Sequence, residues 1–132
     1  MTVADEVQVI ATGPLFDGRA ARAARAYCDD VRDEIAARGE DLVLAKLGMV
    51  LRHPTGYYES QISTEPAGAD TSVVGDGGVV YGPWLEGTGS RNTPITRFAG
   101  YGHWRAAKEK LAGEAPEIAD RLLRVRYLPE MR

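Results

Sequence analysis

The chain has 132 residues, a formal net charge of −3 and a single cysteine, and 44% of its residues are hydrophobic against 27% charged. That length fits one domain, with a core large enough to fold without disulfides or metal. The mild acidity speaks against a dedicated nucleic-acid binder. The lone Cys28 excludes an internal disulfide and a cysteine-built zinc cluster, and no apolar run nears the ~18 residues of a membrane span.

No signal-peptide pattern opens the chain, so synthesis in a reducing cytoplasm is expected. Val7 to Ala11 is β-branched and weakly alternating, which predicts a short strand ended by Thr12-Gly13-Pro14. Leu15 and Phe16 precede Asp17, a candidate N-cap, and can staple the first helical turn. From about Arg19 the pattern is helical, with Ala20, Ala24, Tyr27, Val31 and Ile35 on one stripe. Cys28 lies beside it as a small, half-buried hydrophobe. Gly39 is expected to bend or break the helix, after which Leu42, Val43, Leu47, Val50 and Leu51 continue a denser apolar pattern to Arg52.

His53-Pro54-Thr55-Gly56 ends the helical region. Tyr57 to Glu65 alternates as a half-exposed strand with Tyr58, Ser60, Ile62 and Thr64 on one face. Thr71 to Val74 predicts a strand, Asp76-Gly77-Gly78 a hairpin turn and Val79 to Leu85 the return strand, giving a three-stranded meander. On that return strand Trp84 and Glu86 share a parity, and Pro83 places the strand end at an edge or bulge. Gly87 to Gly100 has no periodicity and reads as a long loop, either a floppy surface segment or a functional arm that reaches away from its own domain. A helix is predicted from about Gly100 to Gly113, and another beginning at Pro116 with Ile118, Leu122 and Val125 on its stripe. Arg121, Arg124 and Arg126 read as a solvated basic face near its C-terminal end. The fold class is therefore α+β in one domain, 1–132. A long N-terminal helix packs on a small antiparallel sheet, followed by a loop or arm at 87–100 and one or two C-terminal helices.

No catalytic or cofactor motif emerges. His53 and His103 lack an HxxxH or HExxH partner, there is no GxSxG elbow, and Cys28 has no activating neighbour. Gly75-Asp76-Gly77-Gly78 lacks the lysine and spacing of a phosphate loop. The binding signal is stronger. Trp84, Phe98, Tyr101 and Trp104 surround a polar loop with Arg91 and Arg97, and aromatic and arginine side chains are enriched at interface centres. Trp84, Glu86, Thr88, Ser90, Arg91, Asn92, Arg97 and Phe98 are the candidate subunit-interface residues. The alternative is a small ligand-binding or enzymatic α+β domain with an aromatic pocket.

Pro54-Thr55-Gly56-Tyr57-Tyr58-Glu59-Ser60-Gln61-Ile62 resembles the P-x-T-G-x-L-x-x-S-I element that follows the long helix in tail-component proteins of long-tailed phages. Tyr81-Gly82-Pro83-Trp84-Leu85-Glu86-Gly87-Thr88 stands where that family has a strand ending Y-A-x-x-V-E-x-G-T. Gly13 to Gly18, Trp84 to Asn92, Thr96-Arg97-Phe98 and Gly100-Tyr101 look like the version carried by phages and prophages of high-GC Gram-positive bacteria. Pro83-Trp84 replaces smaller residues of the broader family, and Thr96-Arg97-Phe98 stands in place of its P-F-x-x-P element. The resemblance implies a non-enzymatic virion structural protein at the head–tail junction. It would be a head–tail connector, tail-completion or tail-terminator subunit in a ring, often sixfold. Its implied partners are copies of itself and neighbouring neck and tail proteins. DNA would pass the lumen only as cargo, with no cofactor and no membrane.

Overall fold

The structure is a computed structural model and describes residues 7–52 and 54–131; the expectations on His53 lie outside them. It is a mixed α+β fold: a long N-terminal helix, a two-stranded antiparallel sheet and C-terminal helices. Helix α1 spans Arg19–Val50, a one-turn α2 spans Tyr57–Ser60, and the strands are β1, Ser63–Pro66, and β2, Ser72–Gly75. A short α3, Gly82–Glu86, precedes an irregular loop, and α4 spans His103–Leu122. A π-helical turn, Leu123–Tyr127, leads into α5, Leu128–Met131. No helix among the described residues is long and apolar enough to cross a membrane.

Helix α1 runs unbroken through Gly39, against the expectation of a bend or break there. Gly39 is buried where three elements meet. A Cβ at that position would lie 3.3 Å from Leu111 Cδ2 of α4 and 3.8 Å from Val74 Cγ2 of β2. The glycine lets helix and sheet approach closely, and that packing offsets its cost of roughly 1 kcal/mol in a helix interior. Beyond it, Leu42, Val43 and Leu47 form the core with Tyr58, Ile62, Leu85 and Ala107, so every element between α1 and α4 contributes except the sheet. The sheet packs at the margin through half-buried Val74.

Four other expectations are corrected. Val7 to Ala11 joins no sheet and lies exposed. Leu15 and Phe16 are exposed and staple nothing; Gly18, with φ of 85°, is the N-cap, while Asp17 accepts the Arg19 N–H at 3.0 Å. Tyr57 to Glu65 divides into a helical turn and a strand, because Tyr58 turns into the core instead of onto a sheet face. Val79 to Leu85 makes no third strand. Pro83 lies in the first turn of α3, where its missing N–H is costless, so the sheet stops at two strands and the shared parity of Trp84 and Glu86 does not apply.

The helices expected over about 100–113 and from Pro116 are one continuous helix, α4. Pro116 sits inside α4 on its exposed side, as does Ala112, whose carbonyl the missing Pro116 N–H would otherwise engage. Water can hydrate that carbonyl, so the helix passes the proline. Its end docks on the N-terminal half of α1. Tyr27 Oη donates to the Ala119 carbonyl at 2.9 Å, and Asp30 accepts from Tyr127 Oη and from Arg126 Nη1. Those two donors hold the Asp30 carboxyl below its ordinary range. Arg121 meets Glu34 at 2.9 Å, so two of the three arginines expected to be solvated bridge to α1. Such exposed pairs set register more than they add stability. Cys28 is exposed, not half-buried, because the α1 stripe turns on Ala23 and Tyr27.

Leu47, with no exposed surface, is the centre of this packing. Leu47→Ala should cost roughly 2–5 kcal/mol, whereas Val125→Ala, at an exposed position, should stay within about 0.5 kcal/mol. Urea denaturation followed by circular dichroism measures both.

Candidate functional site

The segment from α3 to the start of α4 folds back on its own body, in contrast to the arm expected to reach away from the domain. Its neck is fixed by backbone bonds: Tyr101 N–H to the Leu85 carbonyl at 2.6 Å and Gly102 N–H to the Glu86 carbonyl at 3.1 Å. Gly87 and Gly100 lie against each other there with φ of 109° and 96°. A Cβ on either would collide with the opposite backbone, so both the conformation and the closeness demand glycine. The segment between them is a compact loop with adjacent ends.

Inside the loop Asn92 is buried and serves as its hub. Its Oδ1 accepts the Gly89 N–H at 2.8 Å, and its Nδ2 donates to the carbonyls of Trp84 at 2.9 Å and Phe98 at 3.1 Å. Thr93 N–H returns to the Phe98 carbonyl at 3.2 Å. The Trp84 ring lies 4.3 Å from that of Phe98, and Phe98 meets Tyr101 edge-on at 5.0 Å. These rings pack against one another, with Trp84 the more exposed.

Of the eight residues nominated for an interface, Glu86, Asn92 and Phe98 turn inward, while Trp84, Thr88, Ser90, Arg91 and Arg97 remain exposed. Glu86 caps α4: its two carboxylate oxygens accept the N–H groups of Trp104 at 2.8 Å and Arg105 at 3.0 Å. A negative group at a helix N-terminus is favoured by the dipole as well as by the bonds.

Beneath Glu86 lies a buried polar chain that no motif announced. Tyr58 Oη is 3.0 Å from Asp76 Oδ2 and 3.0 Å from His103 Nε2. His103 is fully buried, and its Nδ1 stands 3.4 Å from Glu86 Oε2. The phenol has one proton. Given to Asp76, it requires Nε2–H to donate to Tyr58, leaving the Nδ1 lone pair facing Glu86. Nδ1 is the only buried side-chain polar atom without a hydrogen-bond partner among the described residues. Burial pushes the His103 pKa below its ordinary value, opposed by the charges of Glu86 and Asp76. Burial likewise pushes the Tyr58 phenol well above its usual range. Neither Tyr58 nor His103 is open to a ligand, so the chain works as a brace joining α2, the turn before α3, and α4. Asp76 and Glu86 do reach a shallow depression lined also by Val79, Gly82, Thr88 and Trp104. No cluster of three or more potential metal ligands occurs among the described residues. Compared with family models, with curated proteins and with solved structures, the chain finds no match in any of the three.

Two outcomes follow from this geometry. Asn92→Ala leaves the Trp84 and Phe98 carbonyls and the Gly89 amide without their partner. It should cost roughly 1–3 kcal/mol and raise amide exchange selectively over 87–100. Because the native His103 pKa lies below the unfolded value, the unfolded chain binds the extra proton first as pH falls. The contribution is therefore complete above about pH 6.5 and is lost progressively below it, levelling off beneath the native pKa. Denaturation midpoints between pH 8 and pH 5 measure this slope, which His103→Gln should flatten.

Proposed function

We propose that this chain is a virion structural subunit at the head–tail junction of a long-tailed phage, without enzymatic activity. It would join copies of itself in a ring, with neck and tail proteins as neighbours. The resemblance of its Thr-Gly turn and Glu-Gly-Thr loop to phage tail-component proteins supports this reading. The observation that carries it is the exposure of large apolar side chains just before α3, on it and on the loop that follows. Val80 is 95% exposed, Ile95 72% and Trp84 39%, with Tyr81 beside them and Arg91 and Arg97 on the same loop. Exposed apolar groups rimmed by polar ones mark association surfaces, and Trp and Arg are the usual anchors of such surfaces. The loop beneath them is held by Asn92 and the glycine neck, so Trp84 is presented on a rigid mount and its binding costs little ordering entropy. On this reading the loop binds as a preformed surface. Buried Asn92, Phe98 and Glu86 support that surface, and Trp84, Thr88, Ser90, Arg91 and Arg97 make the contact.

Mass spectrometry of purified particles tests the assignment directly: the chain should be found at a constant ratio to the capsid protein. Trp84→Ala should prevent its incorporation and the formation of infectious particles while the purified subunit keeps its helical circular dichroism. Particles of normal titre built with that variant would remove Trp84 as the anchor.

A further inference from the structure

Two stretches of backbone in this structure lack hydrogen-bond partners, and each suits the other. The first is Val7 to Thr12, which makes no backbone hydrogen bond among the described residues. Its side chains are uncharged, alternate weakly and are fully outside the core, with Val7 at 91%, Val9 at 84% and Ile10 at 73% exposure. The second is the outer edge of β2. That strand pairs only with β1, from Ser72 opposite Pro66 to Gly75 opposite Ser63. Among the described residues no other backbone bond reaches Ser72–Gly75.

The two edges of the sheet differ in kind. β1 carries Glu65 and Pro66, a charge and a missing donor, which are devices that discourage further pairing. β2 reads Ser72-Val73-Val74-Gly75, with no charge and no proline, and its Val73 is 52% exposed. A two-stranded sheet is marginal alone and gains from a third strand.

The segment cannot lie along β2 of its own chain. Pro14 is tied to the start of α1, its carbonyl accepting the Ala20 N–H at 2.9 Å. Val74 packs at Gly39, about 30 Å further along the helix at 1.5 Å per residue. Val7 to Thr12 spans at most about 20 Å when fully extended. The loop that leads into β2 lies nearer, with Ala69 at Arg32 and Asp70 beside Ala24 and Asp29, so the far end of the segment could meet the start of the strand but Val7–Ala11 could not pair along it.

We infer that Val7–Ala11 of one copy adds as a third strand to the free β2 edge of a second copy. Main-chain bonds supply the affinity, and the alternating valines supply the fit. Each chain then has one donor segment and one acceptor edge. The contact is therefore head-to-tail, the type that closes into a ring when the rotation allows and extends as a filament when it does not. The inference deepens the ring subunit proposed above but does not depend on which particle contains it.

The test uses the full chain with Cys28→Ser. Single variants Gln8→Cys, Val9→Cys and Ile10→Cys are each mixed with Val73→Cys and oxidised. At least one mixture should give a cross-linked pair containing both variants. Sedimentation velocity of Val9→Pro and of Val73→Lys should show self-association weakened by at least about tenfold. Their circular dichroism should be unchanged, since Val9 touches no core residue and Val73 is half-exposed. A wild-type chain that stays monomeric at all concentrations, absence of mixed cross-links, or association unaffected by both substitutions overturns strand addition. So does a double-cysteine Val9→Cys, Val73→Cys chain that closes within one molecule. Rings that form by another contact and enter particles would overturn strand addition and leave the virion assignment standing. Strand-paired copies absent from any particle would do the reverse.

Discussion

Everything in this fold is referred to one face of α1. Its 32 residues make a rod of about 48 Å, with the strands and the C-terminal helices packed along it. The half beyond Gly39 carries the core, where Leu42, Val43 and Leu47 receive α2, α3 and α4. The half before it is held at a different kind of contact, the hydrogen bonds and ion pairs of Tyr27, Asp30 and Glu34 with the end of the chain. The larger apolar cluster therefore stabilises one end of the rod, while at the other these bonds act together with buried Ala23, Leu122 and Tyr127 and the Tyr27–Tyr127 ring contact. The N-terminal segment leaves from this second end, beyond the reach of the core.

A second constraint ties the loop to this frame. Glu86 ends α3, caps α4 and stands over His103, so one carboxylate serves two helices and the buried polar chain between them. A helix start that would otherwise leave its first amide groups unsatisfied is completed by a residue from before the loop. The loop ends cannot separate without undoing the cap. That is why a stretch with no periodic pattern still has a defined shape, and why its exposed side chains sit on fixed positions.

The architecture was legible where periodicity is strong. The long N-terminal helix, its stripe of Leu42, Val43 and Leu47 and the turn at Asp76 follow from spacing, whereas Ala24 and Val125, expected on apolar stripes, are exposed. Gly39, Pro83 and Pro116 misled for one shared reason: each is a breaker by intrinsic preference, and each sits where tertiary context removes the cost. Gly39 is needed for close packing, Pro83 occupies a helix first turn, and Pro116 frees a carbonyl that water can reach. The contact of Trp84 with Phe98 could be anticipated from aromatic clustering, but the inward turn of Glu86 and Asn92 could not. The Tyr58–His103 pair lies 45 residues apart in sequence, with no motif linking them. Its only trace was a histidine beside a tryptophan at the start of a helical pattern.

The two tryptophans also differ in exposure, Trp84 being exposed and Trp104 partly buried. Trp84 stacks on Phe98 on the loop's outer side, whereas Trp104 sits at the cap of α4 beside buried His103. Their fluorescence thus comes from one ring at the surface and one at the margin of the core. A soluble quencher would reach the first well before the second, so occlusion of Trp84 and melting of the core have separate optical signatures in the same unlabelled chain.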